Sequence, residues 1–114
     1  MGHGPSLRIE CRIPGADANP YLAYAALLAA ALDGIERGLD PGPAFRGDVY
    51  AAEGLAQVPR SLVEATAELE RGEFARKALG DAVVEHLLHH ARSELAYVEA
   101  RVSDVERERY FERI

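Results

Sequence analysis

The sequence predicts a mostly helical fold led by one short N-terminal strand, and three observations carry that prediction. In Ser6-Leu7-Arg8-Ile9-Glu10-Cys11-Arg12-Ile13, apolar and polar residues alternate with the two-residue period of a strand that is covered on one face. From residue 19 onward, apolar residues recur at spacings of three and four between glycines, prolines and capping residues, which predicts about five helices. The third observation is length: 114 residues make one small domain, able to bury about 60 to 65% of the surface its unfolded chain exposes.

The strand comes after a lead-in, Met1-Gly2-His3-Gly4-Pro5, whose glycines and proline argue against regular structure. A lone strand is not stable in water. Its partners are therefore expected upstream of Met1. Asn19-Pro20 reads as N-cap and first residue of a helix running to about Arg37, with Gly38 as the residue that ends it. That helix is apolar nearly all round until Asp33, so it is expected to be buried on more than one side. Residues 39–59 read as a loop broken at Asp40-Pro41-Gly42-Pro43 and Arg46-Gly47-Asp48. Ser61 and Glu64 form a capping box opening a helix that ends near Gly72. A short helix covers Glu73 to Leu79 and stops at Gly80. Asp81 is expected to cap a long helix striped by Val84, Leu87, Leu88, Ala91, Leu95, Val98 and Val102. A second capping box, Ser103 and Glu106, opens a terminal helix containing Arg107, Glu108, Arg109, Tyr110, Phe111 and Ile114.

Charge and composition exclude some functions. A net charge of -6 argues against a nucleic-acid partner, because phosphate backbones attract an excess of Lys and Arg. The single cysteine cannot close an internal disulfide, which fits a reducing compartment. Cys11 belongs to the apolar face of the strand and is expected to pack there. The longest uncharged apolar run, residues 22–32, falls short of the roughly 20 residues a bilayer requires. No basic leader with a hydrophobic segment behind it opens the sequence, so a soluble cytoplasmic protein is expected.

The polar face of the strand carries the chemistry. Same-face residues on a strand stand roughly 6 to 7 Å apart, so Arg8, Glu10 and Arg12 would address one region of space. A carboxylate is a hard oxygen ligand for Mg²⁺ or Mn²⁺, and arginine forks hold phosphate or carboxylate oxygens by paired hydrogen bonds. The competing reading is a solvated edge strand whose charges compensate each other. His86, His90 and Glu94 share a helical face at ligand-like spacing, but no fourth ligand can be named. A solvated or interface face is the simpler reading of that row.

The residues C-terminal to the strand decide between the first two readings. Arg8-Ile9-Glu10-x-Arg12-x-Pro14-Gly15-Ala16-Asp17-x-Asn19-Pro20-Tyr21-Leu22-Ala23 resembles the C-terminal part of the catalytic domain of the glutamine synthetase family. The resemblance continues through Leu32-Asp33-Gly34-Ile35-Glu36, Val58-Pro59-x-Ser61-Leu62-x-Glu64-Ala65 and Glu106-Arg107-x-Arg109-Tyr110, so it covers essentially the whole of residues 1–114. It implies that the chain is a C-terminal piece of an α+β catalytic domain, whose β-grasp domain and most of whose sheet lie upstream. It also implies roles: Glu10 as a metal ligand, Arg12 as the catalytic arginine on the acyl substrate and the phosphate in transfer, and Arg8 as a nucleotide contact. The implied chemistry is ATP-dependent formation of a γ-glutamyl phosphate, which an amine then attacks, with Mg²⁺ or Mn²⁺ as the cofactor. Complete family members form stacked rings, so a homo-oligomer is implied.

Departures from the family pattern concern the amine. Val105 stands in place of the usual tryptophan between Asp104 and Glu106, and Ala31 stands where glycine is commoner. Gly47-Asp48-Val49-Tyr50 and the ending from Arg109 to Ile114 look more like the glutamine synthetase-like branch, some members of which join glutamate to polyamines or other amines. Tyr50 falls where some bacterial members carry an adenylylated tyrosine. Asp48-Val49-Tyr50-Ala51-Ala52 departs from their Asn-Leu-Tyr-Asp-Leu-Pro context, so a packing tyrosine is expected. Two functional readings result. The first is part of a glutamate-amine ligase, inactive by itself because one carboxylate cannot hold a divalent ion tightly. The second is a stand-alone, non-catalytic helical module that docks onto a full-length relative and modulates it.

Overall fold

The computed structural model describes residues 4–111 and Arg113. These divide into two compact units, Met1–Ala56 and Gln57–Ile114. The described residues are mostly helical and contain no β-strand.

In the first unit, the chain makes a single 3₁₀ turn at Gly4–Ser6, closed by the Leu7 N–H donating to the Gly4 carbonyl at 3.0 Å. This corrects the expectation of an irregular lead-in running straight into a strand. Residues 7–13 lie outside regular secondary structure, which overturns the predicted strand. The physical reason is that a strand exists through hydrogen bonds exchanged with a neighbour, and this unit offers no second strand among its described residues. The alternating pattern consequently buries nothing here. Leu7, Ile9 and Ile13 are exposed, Ile9 at 84%, and Cys11, expected to pack, is exposed as well.

Helix α1 spans Pro20–Glu36. At its start the Asn19 side chain accepts from the backbone N–H groups of Tyr21 (3.0 Å) and Leu22 (3.3 Å), and Pro20 fills the position that needs no donor. At its end Gly38 adopts φ +58°, which leaves its own N–H bonded to Ile35 and brings the Leu39 N–H to the Gly34 carbonyl at 2.9 Å. That pair of bonds is a Schellman motif, and only glycine enters its left-handed residue without strain. Both ends therefore fall where the sequence puts them. Burial does not, since no residue of α1 is buried, and Tyr21, Tyr24, Leu28, Leu32 and Ile35 are exposed. No helix or strand interrupts residues 39–60.

The second unit is built on helix packing. Helices α2 (Leu62–Arg71) and α3 (Glu73–Leu79) both pack on α4 (Asp81–Glu99). The core is small and sits on α4, where Val84 and Leu88 are fully enclosed at 0% and 1% exposure. Leu87, Ala91 and Leu95 are half-buried along the same stripe, but Val98, in the last turn of α4, and Val102, beyond its end at Glu99, are exposed. Thr66 of α2 is buried against this core, and its hydroxyl is satisfied by donating to the Leu62 carbonyl at 2.6 Å.

Ionic contacts tie the helices together at the surface. Arg92 on α4 reaches Glu70 on α2 at 2.7 Å, and Arg76 on α3 bridges Asp81 (3.0 Å) and Glu85 (2.7 Å) on α4. Glu85 and then Asp81 raise the pKa of the Arg76 guanidinium above its ordinary value.

Two caps differ from expectation. Gly80, at φ +84°, is the N-cap of α4, while Asp81 lies inside the first turn and is held by Arg76 instead of capping. Ser61 caps α2 by accepting from the Glu64 N–H at 3.2 Å, but the Glu64 carboxylate takes the N–H of Arg60 at 2.8 Å, so the box closes one residue early. The second box is complete. In α5 (Asp104–Tyr110) the Ser103 hydroxyl accepts from the Glu106 N–H, and the Glu106 carboxylate accepts from the Ser103 N–H at 2.7 Å. Ile114, expected on this helix, lies outside the described residues.

Candidate functional site

Arg8, Glu10 and Arg12 all lie on the exposed segment between the 3₁₀ turn and α1. The structure brings two of them together. The Arg12 Nε–H donates to Glu10 Oε1 at 2.6 Å, a short charge-assisted contact with both side chains about 70% exposed. An i, i+2 pairing of this kind is what two-residue alternation allows, with or without a neighbouring strand. Arg8 is exposed and makes no ion pair with a described residue.

Behind Glu10 lies a cleft of about 300 Å³ between residues 9–14 and the first turns of α1, lined by Ile9, Glu10, Cys11, Pro14, Ala23, Tyr24 and Leu27. Most of the residues lining the cleft are apolar, with Glu10 and Tyr24 lining it beside them.

A residue distant in the sequence also bears on the charge of Arg12. The Arg12 guanidinium is stabilised first by Glu10 and then by the hydroxyl of Tyr50, which together raise its pKa above an already high ordinary value. Tyr50 is held by a local turn in which Asp48 Oδ1 accepts the Tyr50 N–H at 2.9 Å and the Asp48 carbonyl accepts the Ala51 N–H at 3.2 Å. Tyr50 is 82% exposed, so the expectation of a packing tyrosine is corrected. The sequence signal for its placement is Gly47-Asp48, a turn that presents the residue two positions on. What that residue meets is not readable from a local pattern.

The cluster suits anionic oxygen ligands. Arg12 offers guanidinium N–H groups beyond the one given to Glu10, and Glu10 retains the lone pairs of its second oxygen. A hard carboxylate oxygen fits Mg²⁺ or Mn²⁺ by donor type. Among the described residues, no group of three or more His, Cys, Asp or Glu side chains is placed to hold a metal ion. Glu10 thus belongs to no such group, and neither do His86, His90 and Glu94.

Against known families, residues 1–110 match the model described as glutamine synthetase, catalytic domain. The chain belongs to the glutamine synthetase family. Among curated relatives, a gamma-glutamylethanolamide synthetase of Streptomyces coelicolor is 47% identical over 114 residues, covering 100% of this chain and 24% of the relative. A glutamine synthetase of Halobacterium salinarum is 41% identical over 117 residues, covering 96% of this chain and 26% of that protein. One from Pyrococcus abyssi is 39% identical over 126 residues, covering 95% and 29%. The chain therefore spans about a quarter of the length of these glutamine synthetase relatives. No helix among its described residues is long and apolar enough to cross a membrane.

Proposed function

We propose that this chain is the C-terminal segment of the catalytic domain of an ATP-dependent glutamate-amine ligase, and that its exposed segment supplies part of the phosphoryl-transfer site. The observation that carries the reading is the Glu10–Arg12 pair at 2.6 Å, solvent-facing, in a chain of this family. Arg12 is the catalytic arginine. Its guanidinium binds oxygens of the acyl substrate and of the phosphoryl group in transfer, where negative charge accumulates. Arg8 contacts the nucleotide, and its exposure leaves its fork available. Glu10 would hold Mg²⁺ or Mn²⁺ as one ligand among several, the rest coming from outside this chain. When bound, the cation neutralises phosphate charge. The product of the first step is a γ-glutamyl phosphate, in which an oxygen of the glutamate side-chain carboxylate bonds to phosphorus as the bond to ADP breaks. An amine then attacks the carbonyl carbon and phosphate leaves.

The amine is ammonia or a larger primary amine. The departures at Val105 and around Tyr50, and the 47% identity to a protein named for an ethanolamide product, support including the larger class. The complete protein works in the cytoplasm as a homo-oligomer of stacked rings.

The test is ATP- and glutamate-dependent phosphate release by the protein at the length its source cell makes, with ammonia, ethanolamine and a polyamine as acceptors. Arg12→Ala is expected to lower kcat on the order of a hundredfold, the scale of losing one preorganised charge stabiliser. Glu10→Gln is expected to weaken Mn²⁺ binding, read by titration without turnover. Wild-type behaviour of both variants would sink the proposal, as would measurable phosphate release by residues 1–114 alone.

A second reading has one observation in its favour: α1 exposes Tyr21, Tyr24, Leu28, Leu32 and Ile35 with nothing buried. A stand-alone module docking onto a full-length relative would cover that face. A monodisperse, well-folded monomer in size-exclusion chromatography at micromolar concentration counts against it.

A further inference from the structure

We propose that His86 and His90 form a chelating pair for a transition-metal ion on the solvent face of α4, separate from Glu10 and Arg12. Residues 81–99 are a continuous α-helix, in which each residue turns the chain by about 100°. Residue i+4 therefore comes to within about 40° of residue i, with the Cβ atoms about 5 to 6 Å apart. Two histidines at this spacing on one helix face can hold a single ion. Val84 and Leu88, the enclosed residues of the core, lie on the far side of the same helix, and His86 and His90 are both exposed. His89 is exposed too, but it stands about 60° from His86 in the opposite sense, so His90 is the better aligned partner.

The surroundings suit a cation. Neither imidazole makes a side-chain hydrogen bond or ion pair with a described residue. Arg92, the one cation of α4, is drawn to Glu70 on α2 at 2.7 Å. Ser93, on the next turn of the same face, gives its hydroxyl to the His89 carbonyl at 2.8 Å. Among the described residues no third His, Cys, Asp or Glu joins the pair in a metal-holding group, so water fills the remaining positions around the ion. Imidazole nitrogen suits Zn²⁺, Ni²⁺ or Cu²⁺, whereas carboxylate oxygen suits harder ions, which separates this ligand from the Mg²⁺ or Mn²⁺ argued for Glu10. Chelation links two successive turns of α4, the helix on which α2 and α3 pack. An ion that binds only the folded helix stabilises it.

The experiment is a calorimetric titration of Zn²⁺ into the native-length protein, with excess Mg²⁺ present to fill oxygen-ligand sites. Wild type is compared with His86→Gln, His90→Gln and His89→Gln, each of which replaces an exposed side chain, so folding is preserved. Wild type is expected to bind one Zn²⁺ per chain that His86→Gln and His90→Gln each bind about tenfold more weakly or worse, since losing even a partner behind a ligand costs that much. His89→Gln is expected to bind as wild type does. Amide exchange gives a second readout, with Zn²⁺ expected to slow exchange at Leu87 to His90 in wild type and in neither weakened variant. Equal Zn²⁺ binding by wild type, His86→Gln and His90→Gln would overturn the proposal. So would an equal loss in His89→Gln, or unslowed exchange in the Zn²⁺-bound wild type.

Discussion

Glu106 is a single carboxylate whose titration is coupled to one helix. Its pKa is lowered below the ordinary value by the Ser103 backbone N–H and then by the Ser103 hydroxyl. A carboxylate depressed in the folded state adds stability that is complete above its unfolded pKa, about 4.3, and is lost as pH falls through the lower folded value. The start of α5 is therefore expected to fray in acid. Amide exchange at Val105 to Arg107 between about pH 6 and pH 3 checks this, and Glu106→Gln should remove the acid dependence while leaving exchange at the upper pH faster than wild type. Arg12 and Glu10 illustrate the opposite case. Their pairing is exposed and salt-screened, so it contributes little to stability, and its importance lies in where it holds a guanidinium.

Caps decide the individual elements. Asn19→Ala removes the acceptor for two N–H groups of α1, and is expected to cost about 1 kcal/mol of helix stability. Amide exchange at Tyr21 and Leu22 would report the loss, and unchanged exchange would refute the role. Gly80 bridges α3 and α4 at φ +84°. Gly80→Ala places a Cβ in that left-handed region and is expected to cost about 1 kcal/mol or more in urea unfolding. Helix bounds were legible from residues such as these because capping acts over three or four positions, a range within sequence patterns. The exceptions at Ser61 and Asp81 are local competitions. The Glu64 carboxylate found the Arg60 N–H, and Asp81 found Arg76; in each case a neighbour took the group that the pattern assigned elsewhere.

At the scale of the molecule, the two units differ in what holds them. In Gln57–Ile114, α2 and α3 pack on α4 around Val84 and Leu88. Leu88→Ala leaves a cavity there and is expected to cost about 2 to 5 kcal/mol, on the order seen for enclosed leucines. Leu28 of α1, 64% exposed, gives a contrasting expectation: Leu28→Ala in residues 1–114 alone should change stability by less than about 0.5 kcal/mol. A loss of several kcal/mol from the same change in the native-length protein would measure how far that face is covered there. By itself the sequence determined the helices, most of their caps, the loop after α1, the family and the closeness of Glu10 to Arg12, because periodicity, capping and short motifs act between near neighbours. Only the tertiary structure decided that the alternating segment makes no strand and that Cys11 and α1 are exposed. Strand pairing, burial and contacts between distant residues depend on which segments meet in space, which no local pattern encodes.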